Sequence, residues 1–226
     1  MSTSPTRRSA AAKTPVTRRT GTRAMAAQDT RDSILRAATK IFAKHGFSGG
    51  RIEEISKAAK SFDRMIYYYF GSKEALYIEV LEEMYRRFNE AEATLKLSGD
   101  QPVESLTAVI SFMWGFYQRN PEFITLLNDE NLHRGKHIAK SLRARDYSSP
   151  AIQILEQVLA SGARKKLFRS GLSARDVYLM IAAMNYFYLS NRFTLSAFLG
   201  EKLDSAEAQE HWQRFVIDAV LKTVKA

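Results

Sequence analysis

The sequence predicts an all-α chain in two parts, a small N-terminal unit of three helices built on a helix-turn-helix and a larger helical domain behind it. Three observations predict this. Apolar residues recur three and four positions apart through most segments after residue 28, the period of amphipathic helices. The stretch 51–74, RIEEISKAAKSFDRMIYYYFGSKE, breaks that period at Lys60-Ser61 and resumes it at Ile66 and Phe70, so two short helices meet at a tight turn. Charge is also segregated. Residues 1–75 hold 15 Lys/Arg against 6 Asp/Glu, whereas residues 76–226 hold 19 against 18. A cationic front on a nearly neutral body is the electrostatic footprint of a polyanion-binding protein.

Composition sets outer bounds. A hydrophobic content of 45% is enough to bury a core, so the chain as a whole is not disordered. With no cysteine, disulfides, thiolate nucleophiles and Cys-based metal sites are excluded, in keeping with a cytoplasmic protein. No run of about 18 apolar residues exists, so no membrane partnership is expected. Residues 1–28 carry Arg7, Arg8, Lys13, Arg18, Arg19 and Arg23 and no acid, which predicts a disordered basic arm. It serves either as a solubilising tail or as an arm reaching DNA.

The elements follow in order. Asp29 or Thr30 is placed as the cap of the first helix, whose buried stripe is Ile34, Leu35, Ala38, Ile41 and Phe42; Gly46 ends it. The helix-turn-helix completes a unit spanning residues 29–75. Ser72 reads as the N-cap of a long helix running to about residue 98, with Leu76, Tyr77, Val80, Leu81, Met84, Tyr85 and Phe88 on one face. Residues 98–102, Asn120-Pro121, Gly135, residues 148–150 and Gly171 divide the second domain, 76–226, into further helices. Ser173 caps a helix that is apolar nearly all round, and a helix of that kind must be buried on more than one side. It and the last helix, from about residue 205 to 224, are expected to pair with their copies in a two-fold dimer.

The outward chemistry of the central stretch separates it from an ordinary helical hairpin. Arg51, Arg64, Tyr67, Tyr68, Tyr69 and Lys73 are donors or cations suited to phosphate. Lys73 opposes the dipole at a helix start, a local penalty that a phosphate between them would relieve. Arg64 is placed to reach guanine O6 and N7, or else to contact phosphate or pair with Asp63 or Glu54. Asp63 can accept from cytosine N4, orient Arg64 or discourage wrong sequences. Phe62 and Met65 can touch thymine methyls or be covered by the protein's own surface.

Taken together, Thr30-Arg31 through ILRAATKIFAKHGF, then IEEISKAAK, then IYYYFGSKEALY, resemble the DNA-binding domain of the tetracycline-repressor (TetR) family of transcriptional regulators. The family commonly has Gly-Val-Ser-Lys-Gly where this chain has Lys60-Ser61-Phe62-Asp63-Arg64. The resemblance implies phosphate contacts from Tyr67 and Tyr69, a homodimer through the last two helices, a palindromic duplex operator and a small organic inducer held in the second domain. The expected function is a ligand-responsive regulator, a repressor released by its inducer. The alternative is an architectural or scaffolding DNA-binder without an inducer.

The second domain interleaves aromatic and Met residues with a few polar ones, the composition of a ligand cavity and equally of a helical core. Trp114, Tyr117, Leu127, Asn131 and Tyr186 are the candidate ligand contacts. Asp129, His133 and His137 share helical spacing suited to a divalent metal, but Gly135 and the surrounding cations argue for a solvated face, and neither metal nor cofactor is expected. No phosphate loop, nucleophile elbow or thiol is present, so an enzyme is not expected.

Overall fold

Serine hydroxyls start three of the long helices. Ser72 accepts from the Ala75 amide at 3.0 Å, Ser173 from Asp176 at 3.3 Å and Ser205 from Ala208 at 3.2 Å, each filling an orphan donor of a first turn. In the computed structural model, which describes residues 18–143 and 149–226, the helices are α1 (Arg18–Gly49), α2 (Ile52–Ala58), α3 (Asp63–Phe70), α4 (Lys73–Glu92), α5 (Pro102–Arg119), α6 (Pro121–Leu132), α7 (Ser149–Arg164), α8 (Ala174–Leu199) and α9 (Ala206–Val224). A single 3-10 turn, Ile138–Lys140, follows α6. Among the described residues there is no strand, only an isolated bridge from Phe168 to Lys225.

Two expectations about the chain's start need correction. Residues 18–28 are helical, so α1 begins before Asp29 and Thr30, and neither caps it. The Thr30 hydroxyl bonds back to the Ala26 carbonyl at 2.8 Å and the Gln28 amide reaches Asp32 at 2.8 Å, both inside a continuing helix. Ala24, Ala26 and Ala27 favour the helix intrinsically, and the basic composition does not outweigh that propensity. The part of the arm at residues 1–17 lies outside the described residues.

The first three helices fold over Ile34, Ala38, Phe42, Ile52, Ile55 and Ile66, all within 8% of complete burial. Ile66 and Phe70 hold α3 to this core. Each contributes on the order of 1.5–3 kcal/mol, which fixes the helix although Tyr67 and Tyr68 beside them face solvent. α4 passes from this unit into the body, and Arg31 of α1 pairs with its Glu79. α5 lies at the centre of the second domain, against α7, α8 and α9, while α6 lies along α1.

Three helices end on a cation in the left-handed region. Lys60 (φ 52), Arg134 (φ 58) and Lys166 (φ 57) sit just beyond α2, α6 and α7. After α2 the Ser61 amide bonds the Ser56 carbonyl at 2.9 Å and the Lys60 amide bonds Lys57 at 3.1 Å, the crossed pair that closes a helix when one residue turns left-handed. Gly135 to Glu130 with Arg134 to Asn131, and Leu167 to Gly162 with Lys166 to Ala163, repeat the pattern at 2.9–3.0 Å. The turn between α2 and α3 therefore keeps its left-handed geometry with lysine in place of glycine.

Candidate nucleic-acid interface and effector core

α3 presents its outer face because its inner one is committed. Phe62, Tyr67 and Tyr68 are 69%, 52% and 76% exposed, and Arg51 and Arg64 are also exposed. The Arg64 guanidinium lies 5.4 Å from the centre of the Phe62 ring, and among the described residues no ion pair joins it to Asp63 or Glu54. Asp63 instead accepts from the buried Ser56 hydroxyl, tying the start of α3 to α2. Met65 and Tyr69 are half-buried, Met65 against the core and Tyr69 edge-on to Tyr68 at 5.0 Å. The candidates thus divide into an outer set (Arg51, Phe62, Arg64, Tyr67, Tyr68) and a supporting set (Asp63, Met65, Tyr69).

Lys73 stands apart from both sets. Its ammonium lies 4.9 Å from the centre of the Phe47 ring and 3.4 Å from the Ser48 carbonyl, beside the N-terminus of α4. Burial there lowers its pKa, and Glu53 partly opposes the shift. A cation desolvated next to the positive end of a helix is better satisfied with an anion between them.

Behind this surface, α6 grips the corner where α1 ends. Asp129 Oδ2 accepts from the Phe47 amide at 2.8 Å and from the Tyr77 hydroxyl at 2.7 Å, so one carboxylate joins α6, α1 and α4. Gly46 (φ 68) makes room for it, since a Cβ there would lie 2.4 Å from Asp129 Oδ1. Burial and the Asp129 carboxylate both push the Tyr77 phenol well above its ordinary range. His137, 1% exposed, packs against Phe47 and Tyr77 with ring centres 4.4 and 5.0 Å away and places Nδ1 2.7 Å from Glu130. The His133 Nδ1 lies 2.8 Å from the Asp129 carbonyl. Asp129, His133 and His137, which share helical spacing in the sequence, lie together at a seam between the two parts of the molecule, with the Asp129 carboxylate on Phe47 and Tyr77, the His133 ring on Asp129 and 5.2 Å from the His137 ring, and His137 on Glu130.

The candidate ligand contacts do not share one place. Tyr117 is buried at the centre of the second domain, packed with Phe88 and Phe123 in a cluster of three rings whose centres lie 5.4–6.3 Å apart. Trp114, 1% exposed, turns toward Tyr188, which stacks on Trp212 at 4.9 Å. The Tyr186 hydroxyl donates to Asn128, as does Ser190 at 3.0 Å, in a knot between α6 and α8. Leu127 is half-buried, and Asn131 lies at the surface with its amide on the Leu127 carbonyl at 2.9 Å. Two open clefts include none of the five. A groove of about 1180 Å³ beside α1 and α4 is lined largely by charged residues such as Arg31, Arg86 and Glu79, and one of about 730 Å³ lies where α8 meets α9.

Two residues absent from that group stand out inside the core. Glu92 is 1% exposed with no partner for Oε2, and Asn185 is fully buried with neither side-chain polar atom satisfied. Burial raises the Glu92 pKa to about 7. Since the neutral form is favoured only in the folded state, this proton supports the fold fully below the ordinary carboxylate range, and the support disappears as pH rises through about 7. Glu92→Gln cannot ionise, so its melting temperature is expected to lie close to wild type at pH 5 and several degrees above it at pH 8. The difference corresponds to roughly 2–3 kcal/mol, and parallel melting curves across that range would contradict it. The sequence did carry a signal for Glu92. It lies four residues beyond Phe88 and eight beyond Met84, on the apolar stripe of α4.

Comparison with known proteins agrees with this architecture. The family described as "Bacterial regulatory proteins, tetR family" matches residues 34–80, and "Tetracyclin repressor-like, C-terminal domain" matches residues 102–220. The chain is 50% identical over 209 residues, 92% of its length and 99% of the relative's, to the HTH-type transcriptional repressor NicS of Pseudomonas putida. It is 27% identical to the HTH-type transcriptional repressor SCO4008 of Streptomyces coelicolor, over 71% of this chain and 80% of that one. The crystal structure of the transcriptional regulator SCO4942 from Streptomyces coelicolor shares the fold, with a TM-score of 0.65 at 22% identity over 86% of this chain and 98% of that one. With both its helix-turn-helix unit and more than half of its length matched, the chain belongs to the tetR family of bacterial regulatory proteins.

Proposed function

We propose that the chain is a cytoplasmic, homodimeric transcriptional repressor that binds a pseudo-palindromic duplex operator through α3 and is released by a small organic inducer held in the second domain. The observation that carries this reading is the Asp129 join between α6, the end of α1 and the start of α4. Through it, a rearrangement of the second domain is transmitted to the DNA-facing helices rather than absorbed by a loop. The NicS relative, named a transcriptional repressor, supports the sign of regulation. DNA favours one spacing of the two recognition helices and inducer the other, so each ligand weakens the other's binding. A coupling of about 1–3 kcal/mol relieves repression about 5–150-fold.

What one chain leaves uncovered supports the dimer. Val177, Ile181, Tyr188 and Leu189 of α8 face the core, while Leu179, Phe187, Phe193 and Phe198 are more than half exposed, as is nearly half of Phe215 on α9. A second copy covers such a face, and two recognition helices then address two half-sites. A purely architectural binder has no use for the unpaired polar atoms of Glu92 and Asn185 in its interior.

Selection of bound duplexes from a random pool tests the reading directly. A palindromic consensus is expected, and a pool that never enriches would refute it. On that consensus, Arg64→Ala is expected to cost about 1–3 kcal/mol and relax preference at one base pair per half-site. Lys73→Glu is expected to weaken all duplexes alike and to flatten the salt dependence of binding.

A further inference from the structure

The side chains that open α3 divide by what holds them. Asp63 is half-buried with its carboxylate taken by the Ser56 hydroxyl, and Met65 packs against the core. Phe62 and Arg64 stay outside, and Phe62 serves the fold in neither of the ways open to it. It stands at the N-cap of α3, where a short side-chain acceptor is favoured, and makes no capping bond. It is also 69% exposed, so most of a large apolar ring is left in water where the helix starts. What lies on that ring is a cation. The Arg64 guanidinium carbon is 5.4 Å from the ring centre, within the range of cation–π attraction, and among the described residues no ion pair competes for it. Phe62 and Arg64 also stand where the family commonly carries Ser and Gly, so the pair belongs to this chain's own specificity rather than to the shared frame.

We propose that Phe62 and Arg64 act as one base-reading unit, which recognises a guanine together with a thymine at the neighbouring base pair. This rests on the reading that α3 enters the major groove of an operator, and it names the step that α3 reads there. The first residues of a recognition helix are the ones that reach base edges. An arginine fork bonded to guanine O6 and N7 lies in the plane of that base. A ring resting on the face of the fork then lies one layer up or down, at the level of the next pair, since successive bases are about 3.4 Å apart. The apolar group that a base pair presents there is the thymine C5-methyl. The ring therefore has two tasks. It restrains the guanidinium before DNA arrives, which lowers the freedom lost on binding, and it covers the methyl. The occupant is a duplex rather than a protein, because Arg51, Lys60 and Lys73 belong to the same unit and the first 75 residues hold 15 Lys/Arg against 6 Asp/Glu.

The test uses the full chain and the duplex consensus obtained by selection, in which a guanine beside a thymine is expected in each half-site. Replacing that thymine by uracil removes only the methyl, and is expected to weaken wild-type binding about 4-fold per half-site. Phe62→Ala is expected to bind the thymine and uracil duplexes equally and to discriminate less against a changed guanine. Phe62→Leu keeps an apolar group but no aromatic face, so it is expected to retain part of the thymine preference and to lose the same guanine discrimination. Both variants are expected to melt with the wild type, since the ring is mostly in solvent. A consensus without a thymine beside the guanine, or wild-type binding indifferent to uracil, would overturn the assignment. So would a Phe62→Ala variant that tells thymine from uracil as the wild type does, or one whose guanine discrimination is undiminished. A wild type that enriches a palindromic duplex but ignores the methyl rejects this unit alone. One that enriches no duplex rejects the operator reading beneath it, and the unit with it.

Discussion

Asp129→Ala is expected to lower the melting temperature by about 10 °C and to split the thermal transition in two. The substitution removes the acceptor shared by the Phe47 amide at 2.8 Å and the Tyr77 hydroxyl at 2.7 Å. Tyr77 is fully buried, so its hydroxyl finds no water in exchange. Two abandoned donors, one buried and one half-buried, at about 1–3 kcal/mol each outweigh any gain from losing the carboxylate. The split follows from position. Asp129 belongs to the second domain, but both its donors belong to elements that carry the helix-turn-helix unit. Without it the three N-terminal helices melt on their own, and the inducer loses its hold on the operator. Asp129→Asn keeps an acceptor oxygen and should lose about 1–2 kcal/mol, with the transition still single. Calorimetry of the three proteins decides the matter, and a single unshifted transition for Asp129→Ala would show that the seam carries no coupling.

Phe187→Glu is expected to turn the dimer into monomers and to weaken operator binding by about 100-fold or more. Phe187 is 56% exposed on the uncovered side of α8, so its loss leaves the fold of one chain intact. In the proposed dimer the same substitution occurs twice across a two-fold axis, so two carboxylates are carried into an apolar interface and must be desolvated there. Binding then falls to that of one half-site, because the second recognition helix no longer arrives at high effective concentration. Sedimentation and duplex titration on one preparation separate the steps. A variant that stays dimeric would place the interface elsewhere, and a monomer with undiminished affinity would mean that one recognition helix suffices.

The sequence made the frame of this molecule legible because the frame is written in local rules. Serine caps, apolar spacing and glycine breaks depend on residues within one or two turns, and they located Ser72, Ser173 and Ser205 as helix starts. The all-round apolarity of α8 was legible in the same way, and one chain covers only half of it. Relations between distant residues were not legible. Asp129 has helical spacing to His133, which suggests a shared ligand set, but its oxygen is taken by Phe47, 82 residues away in the chain. Asp63 was open to three roles until the fold placed Ser56 beneath it. In the basic segment before Asp29 charge points to disorder, although its alanines favour helix. The apolar residues of α4 stop at Phe88, whereas its burial extends one turn further to Glu92.

The left-handed cations Lys60, Arg134 and Lys166 carry a practical consequence for engineering. Each holds a conformation that glycine adopts freely, at a cost of about 1 kcal/mol, partly offset by the attraction of a positive charge to the negative end of its helix. Glycine at Arg134 and Lys166 therefore offers a sturdier scaffold without altering any side chain of α3. Lys60 differs, because glycine there would remove a cation from the turn that leads into α3.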